Sequence, residues 1–311
     1  MAWRVFRSGK TKKNDVQRFE LALETKLFAL HESLLRKTYT VAPYEAFFVK
    51  DPKLRHIHKA QVTDRVVHQA LFQVLYPIID RTLSSSVCSA RSGYGTHRGV
   101  RMLFRALRRL SNNWKREVWV LKVDIKKFFD TTDHSILKTQ LGSFAFDDNT
   151  TALLYTIIDS FCTVSGKGLP LGNVTSQLFA NIYLNEFDWF VKHRNCVQFY
   201  VRYCDDMVFV LKNKNDAAPL LTSIRYFLEE RCMLALHPQK TVLRKIRQGI
   251  DFLGYVIVPH AVVLRTKTKR RILRKVAEMK NKAVIDSYLG VTTHAYARVV
   301  TKKLLRQKSL F

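Results

Sequence analysis

Two adjacent carboxylates, Asp205 and Asp206, lie between two apolar runs, 199–203 (FYVRY) leading in and 207–210 (MVFV) leading out. Such a pattern predicts a β-hairpin with the acids at its tip. Two ionised neighbours repel each other, so a fold that presents them together needs a counter-cation. A third acid, Asp124, closes the apolar run 118–123 (VWVLKV). One carboxylate at a strand end and two at a hairpin tip are what a two-metal phosphoryl-transfer site requires. There, two cations about 3.5–4 Å apart activate the attacking oxygen and stabilise the leaving one. Mg²⁺ suits such a site because it takes oxygen ligands from carboxylates and substrate phosphates. A polar turn and an ordinary acid at a strand exit are the plain alternative.

The elements that must hold these acids follow from periodicity. Residues 14–38 predict an amphipathic helix, 44–49 and 55–59 predict strands, and a helix starts near Asp64 and carries Val66, Val67, Ala70, Leu71, Val74 and Leu75. A polar, Gly-containing loop over 84–99 precedes a helix that runs to about Asn112. Residues 135–160 and 216–236 read as helices, and 249–257 as one strand. The Gly/Pro loop 168–172 (GLPLG) runs into a helix that Thr175 or Ser176 caps. Along it Phe179, Tyr183, Phe187 and Phe190 repeat at helical spacing, as core groups. Strands interleaved with helices over 117–257 predict an α+β architecture.

The chain has 311 residues, with 53 Lys+Arg against 25 Asp+Glu and a net charge of +28. That excess points to a polyanion, either nucleic acid or an anionic membrane surface. No apolar run approaches a membrane span and the N-terminal residues MAWRVF form no signal peptide, so nucleic acid is the expected partner and no membrane role is expected. The five cysteines are scattered without Cys-x-x-Cys spacing, which predicts neither a disulfide framework nor a zinc site and fits a reducing cytoplasm.

With Asp124 to Phe129 reading Asp-x-x-x-x-Phe and 203–206 reading Tyr-Cys-Asp-Asp, the chain resembles a reverse transcriptase over roughly residues 40 to 295. The loop 171–177 (LGNVTSQ) departs from the Gln-Gly-x-x-x-Ser-Pro usual in retroviral and group II intron enzymes. Its Gly-Asn-x-x-Ser-Gln resembles the reverse transcriptases of diversity-generating retroelements. The resemblance implies a right-hand polymerase fold with fingers, palm (an antiparallel sheet with helices) and a short helical thumb. Its expected divisions are an N-terminal helix and fingers over 1–116, a palm over 117–258 with a fingers insertion around 140–195, and a basic thumb over 259–311. The last segment carries fourteen Lys/Arg against two Asp/Glu.

The implied site follows residue by residue. Asp124 and Asp205 would hold two Mg²⁺, with Mn²⁺ as a substitute. Asp206 would be a weaker or outer ligand, and the backbone carbonyl of Ile125 an extra one. Phe129 would be the gate beneath the incoming sugar, or else a core Phe. Arg55, Lys59 and Arg65 would meet the dNTP phosphates, or else lie on a solvated surface. Lys240 would act as a general acid near the leaving pyrophosphate, or else be a loop lysine. Gln177 would lie beside the nascent base pair, or else satisfy backbone groups at the helix start. Tyr203, Leu253, Gly254 and Tyr255, with Lys269, Arg270, Arg271 and Arg274, would contact primer and template.

The implied function is RNA-directed synthesis of adenine-mutagenised cDNA that diversifies a target gene by mutagenic retrohoming. The partners would be template RNA, cDNA or primer, dNTPs and a small basic accessory protein oligomer, in the cytoplasm of a prokaryote or from a phage. The chain ends soon after the thumb, so no endonuclease or maturase extension is expected. Two alternatives are a retron- or defence-type reverse transcriptase and a catalytically silent RNA-binding scaffold. The three intact acids argue against the scaffold.

Overall fold

The computed structural model describes residues 1–50, 54–279 and 281–309. The chain divides into two compact units: Met1–Ser85 with Ile125–Trp189 and Tyr226–Ala235, and Ser86–Asp124 with Phe190–Arg225 and Leu236–Phe311. In chain order the helices α1 (Ala2–Arg7), α2 (Asn14–Glu20) and α3 (Leu23–Leu35) lead to the hairpin β1 (Glu45–Lys50) and β2 (Leu54–Lys59), then α4 (Val62–Asp80). Next come α5 (Thr96–Leu110), β3 (Trp119–Asp124), α6 (Phe128–Thr131), α7 (His134–Gly142), α8 (Asp148–Asp159) and α9 (Val174–Tyr183). α10 (Asn185–His193), β4 (Phe199–Tyr203), β5 (Asp206–Leu211) and α11 (Ala217–Cys232) follow. The chain continues with β6 (Val242–Lys245), β7 (Ile250–Phe252), β8 (Tyr255–Val258), β9 (Ala261–Leu264), α12 (Thr266–Met279), α13 (Lys282–Thr292) and α14 (Arg298–Lys308).

In the first unit the expected single helix over 14–38 breaks at Leu21 and Ala22. Val16 and Phe19 are buried on α2 while Leu21 is 89% exposed, and Leu30 is buried from α3. The break is at Ala22, whose φ of −126° and ψ of 39° leave the helical region. Helix α4 begins at Val62, just before Asp64, whose buried carboxylate accepts hydrogen bonds from the Tyr39 hydroxyl (2.7 Å) and the Ala42 N–H (3.3 Å). The helical stretch 135–160 divides into α7 and α8, each started by an aspartate cap, Asp133 and Asp147. Helix α9 starts at Val174, earlier than a Thr175 or Ser176 cap allows; Thr175 is buried and its hydroxyl bonds His68 Nδ1 at 2.7 Å. Phe179, Tyr183 and Phe187 are buried, as their spacing predicts.

The second unit is built on an antiparallel sheet of order β4-β5-β3-β6. Alternation along the strands places Val120, Val201, Val208 and Val210 in one core cluster with Leu103 and Leu107 of α5. The same cluster takes Ile272 and Val276 from α12, Ile285 from α13, and Val300 and Leu304 from α14. Each such side chain removed from water contributes roughly 1.5–3 kcal/mol. The stretch 249–257 is not one strand. Leu253 (φ 52°) and Gly254 (φ 88°) form a two-residue turn that folds β7 back on β8, with Phe252 opposite Tyr255. Positive φ at both central residues is the type I′ pattern, whose twist matches that of the flanking strands.

Candidate active site

Interior strand β3 carries Asp124 at its C-terminal end, where its Cα is paired with that of Asp206, the first residue of β5. The hairpin β4–β5 closes through two residues, Cys204 and Asp205, with Tyr203 opposite Asp206. Thus Asp205 occupies the turn itself, and Asp206 stands on the strand facing Asp124. Cys204 has φ 58°, a left-handed conformation that costs a side-chain-bearing residue of order 1 kcal/mol or more. The cost is met by bracing. The Cys204 N–H donates to Ser89 Oγ at 2.9 Å, and Arg202 Nη1 donates to the Cys204 carbonyl at 3.2 Å. Arg202 is itself fully buried, and its backbone exchanges hydrogen bonds with the segment before Ser89: its N–H donates to the Ser86 carbonyl and its carbonyl accepts from Cys88.

Two lysines lie on the acids. Lys122, one pleat below Asp124, places Nζ 2.9 Å from Asp206 Oδ2 and 3.1 Å from the Asp251 carbonyl. Lys240 Nζ is 2.5 Å from Asp124 Oδ1, and the Asp124 carbonyl accepts from the His237 N–H at 2.7 Å. Burial pushes the Asp206 carboxyl up to about 6; the Lys122 ammonium opposes that rise, and the charges of Asp205 and Asp124 add to it.

Among the described residues no group of three or more His, Cys, Asp or Glu closes into a metal cage. The donor set nonetheless fits a hard cation. Asp206 Oδ1 is buried without a hydrogen-bond partner, and a buried acceptor left so beside other carboxylates suits a cation. Mg²⁺, moreover, keeps water and substrate phosphates as ligands and does not require an all-protein cage.

Over residues 49–257 the sequence matches the family described as reverse transcriptase (RNA-dependent DNA polymerase). The chain belongs to the reverse transcriptase family. Its enzyme class is RNA-directed DNA polymerase. It is 25% identical over 276 residues to Protein YkfC of Escherichia coli, covering 76% of this chain and 72% of that protein. It is 22% identical over 305 residues to the group II intron-encoded protein LtrA of Lactococcus lactis, covering 75% of this chain but only 50% of that protein. Among solved structures, telomerase from Candida albicans in complex with a fragment of telomeric RNA superposes with a TM-score of 0.56 at 15% identity, covering 87% of this chain and 54% of that one. Apo telomerase from Candida tropicalis gives 0.54 at 12% identity, over 91% and 61%. These likenesses establish the right-hand polymerase fold, and the chain spans little more than half of the telomerase chains.

The remaining expected site residues of this reverse transcriptase are placed as follows. Ile125 is buried. In the first unit Phe128 is buried at 2% exposure while Phe129, beside it at 5.6 Å between ring centroids, is half-exposed, so the core position belongs to Phe128. Arg65 and Lys59 are not open to an incoming anion as expected. Both pair with Asp15, Lys59 also with Glu45 at 3.0 Å, and Arg65 lies over the Phe6 ring. Asp15 is partly buried, which opposes its ionisation, yet hydrogen bonds from Lys59 and Arg65 hold its carboxyl at about 2. Arg55 is exposed. The loop before α9 is clipped to β2: the His58 N–H donates to the Leu171 carbonyl at 3.0 Å, and Gly172, at φ 118°, leaves 3.1 Å between a would-be Cβ and Ile57. Gln177 is exposed on the first turn of α9, and among the described residues its amide has no hydrogen-bond partner.

In the second unit Tyr203 is half-buried against the core cluster. Tyr255 corrects an expectation: it is 2% exposed, its hydroxyl donates to the Val291 carbonyl, and burial pushes it up to about 12, so its side chain offers nothing to a nucleic acid. Leu253 likewise packs against the core. Gly254 keeps close quarters with Thr268, 3.2 Å from a would-be Cβ. On α12, Lys269, Arg270 and Arg274 are exposed and Arg271 is half-buried. The groups that sequence reasoning missed are Lys122, Arg202 and Ser89. Only Lys122 left a signal, a lysine on the same strand face as the acid two residues on.

Proposed function

We propose that this chain copies template RNA into DNA from a primer 3′-OH and dNTPs, with Asp124 and Asp205 as the main cation ligands. The observation that carries this reading is the cross-strand pairing of Asp124 with Asp206 beside Asp205 in the adjoining turn. Mg²⁺, or Mn²⁺ in its place, would be held by these acids and the Ile125 carbonyl, and when bound it supplies charge stabilisation to in-line phosphoryl transfer. Asp206, tied to Lys122, is the weaker ligand and sets the charge of the cluster. Lys240 neutralises Asp124 and is placed to hand a proton to a leaving phosphate oxygen. Phe129 excludes a ribose 2′-OH, and Arg55 meets the triphosphate. The divisions at 116 and 258 into fingers, palm and thumb accompany this reading. Primer extension on an RNA template tests it, and no product from a folded protein would remove it.

The basic helix α12 serves as the thumb face that grips template and primer. Neutralising Lys269, Arg270, Arg271 and Arg274 to Gln is expected to weaken binding of an RNA–DNA duplex. The slope of log K against log salt should fall by roughly 0.7–0.9 for each phosphate whose cationic partner is removed. Titration at several salt concentrations measures this, and an unchanged slope would make α12 a solvated face.

The finer assignment is to a diversity-generating retroelement, supported by the 171–177 loop and the exposed Gln177 amide, which can both donate and accept hydrogen bonds. The enzyme then errs chiefly opposite template adenine, works with a small basic accessory protein, and its cDNA diversifies a gene. Gln177→Pro or Gln177→Ala is expected to change error frequency at adenine severalfold and to leave the other bases alone. Sequencing cDNA made on one defined RNA reads this, and uniformly low error at all four bases would remove the assignment. A second reading, an enzyme closer to the group II intron type, is favoured by the similarity to LtrA.

A further inference from the structure

Helix α5 turns its apolar side (Val100, Leu103, Ala106, Leu107) into the core and carries Arg101, Arg105, Arg108 and Arg109 exposed on the opposite side. No ion pair neutralises these four among the described residues, whereas Lys59 pairs with Glu45 and Arg274 with Glu278. The helix ends in a turn that proteins seldom adopt. Asn112, Asn113 and Trp114 have φ of 50°, 60° and 70°, three left-handed residues in succession without a glycine. The turn is held by Trp114, packed on Phe104 at 5.2 Å, and by Ser111 Oγ, which accepts from the Trp114 N–H. Its product is a fixed guanidinium: Asn113 Oδ1 accepts from Arg108 Nε at 2.6 Å, which orients the remaining Arg108 donors. Arg105, Arg108, Arg109, Asn112 and Asn113 line one open recess of about 290 Å³.

Beside this recess, at the end of the sheet away from the acids, is a larger cavity of about 700 Å³. Leu110 of α5 and Phe199 line it, Arg109 lies 5.9 Å over the Phe199 ring, and Asn195, Gln198 and Asn215 supply amide donors and acceptors. The strands place this region roughly 15 Å from Asp206, at about 3.3 Å per residue.

We propose that this arginine–asparagine recess with its adjoining cavity is a second RNA-binding site, which takes the phosphates of a single-stranded segment on Arg105, Arg108 and Arg109 and one splayed base in the cavity. Guanidinium groups in a fixed fork match phosphate oxygens. Sequence-selective contacts to RNA are made to unstacked bases whose edges meet hydrogen-bonding side chains. A carboxylate-bearing protein would satisfy the charge but leaves unused a cavity that carries three amides, Asn195, Gln198 and Asn215, beside the Phe199 ring and is large enough for a whole nucleotide. The site anchors RNA outside the polymerase centre, and it deepens the reading of this chain as an RNA-copying enzyme, on which it rests.

The test compares the full-length protein with an Arg105→Gln/Arg108→Gln/Arg109→Gln variant. The probes are a mixed-sequence single-stranded RNA, a polyglutamate chain, and a short RNA–DNA template–primer for extension. We expect the salt slope for single-stranded RNA to fall by roughly 2, at 0.7 for each phosphate released, with extension on saturating short template–primer retained. Asn215→Ala is expected to weaken RNA binding without changing that slope, as the loss of a base-edge hydrogen bond does. An unchanged RNA slope in the triple variant overturns the proposal, as does loss of polyglutamate binding with RNA binding intact. If the triple variant melts, Arg108→Gln alone decides, through a slope change near 0.7 or none. Wild-type protein that binds RNA through these arginines but extends no primer would instead sink the polymerase reading and leave this site standing.

Discussion

Asparagine in place of Asp124 or of Asp205 is expected to lower primer extension by about 10³–10⁴-fold, a loss of about 4–5.5 kcal/mol of transition-state stabilisation. Each change keeps the side chain's size and removes one negative charge from a cluster in which Asp124 already faces Asp206 across two strands. The folded protein should tolerate it. Asp124→Asn releases Lys240, whose side chain is 40% exposed and can turn to water, so little stability is at stake. Asp206→Asn is expected to cost only 10–100-fold, the range for groups that tune a ligand. Steady-state extension with Mg²⁺, beside RNA binding and a thermal melt, separates these cases. Near-wild-type rates in both Asp124→Asn and Asp205→Asn would dismantle the assignment of these acids as cation ligands.

Phe129→Ala is expected to lower discrimination between dNTP and rNTP by about 10²-fold, the scale on which a shaped pocket rejects one extra hydroxyl. The structure makes the experiment clean, because Phe128 is the buried ring and Phe129 the half-exposed one. Truncating Phe128 should instead cost about 3–5 kcal/mol of stability, as buried aromatic truncations do. The ratio of ribonucleotide to deoxynucleotide incorporation on one template is the readout. A folded, active Phe129→Ala enzyme with an unchanged ratio would assign the ring to packing alone.

The acids were legible in the sequence because two apolar runs around a pair of carboxylates announce a hairpin without help from the rest of the chain. Their register was not, since pairing Asp124 with Asp206 depends on two strands finding each other across the intervening chain. The hairpin at 249–257 stayed hidden because its first turn residue is Leu253, a residue that turn chemistry seldom selects. Arg65 and Lys59 looked available to phosphate for a similar reason: Asp15, which holds both, is remote in sequence and unremarkable in its own neighbourhood. Thr175 looked like a cap because nothing local reveals that His68 is buried against it. Local pattern carried the elements and the acids, while long-range polar pairing, which no periodicity encodes, decided which charged groups remain open.

The turn that carries Asp205 depends on partners that never meet a substrate. Ser89 fixes the left-handed Cys204, and Arg202, sealed from water, ties the same turn to the backbone of Ser86 and Cys88. A saturation scan scored by cDNA yield alone would therefore rank the 86–89 segment among the most intolerant stretches of the enzyme and label it catalytic. Sorting such a map needs a second channel, cellular abundance. Substitutions at Ser89 should lower yield while abundance holds, because they loosen an aspartate's aim; substitutions at Arg202 should lower both, because they empty a fully buried site and take the donor from the Cys204 carbonyl.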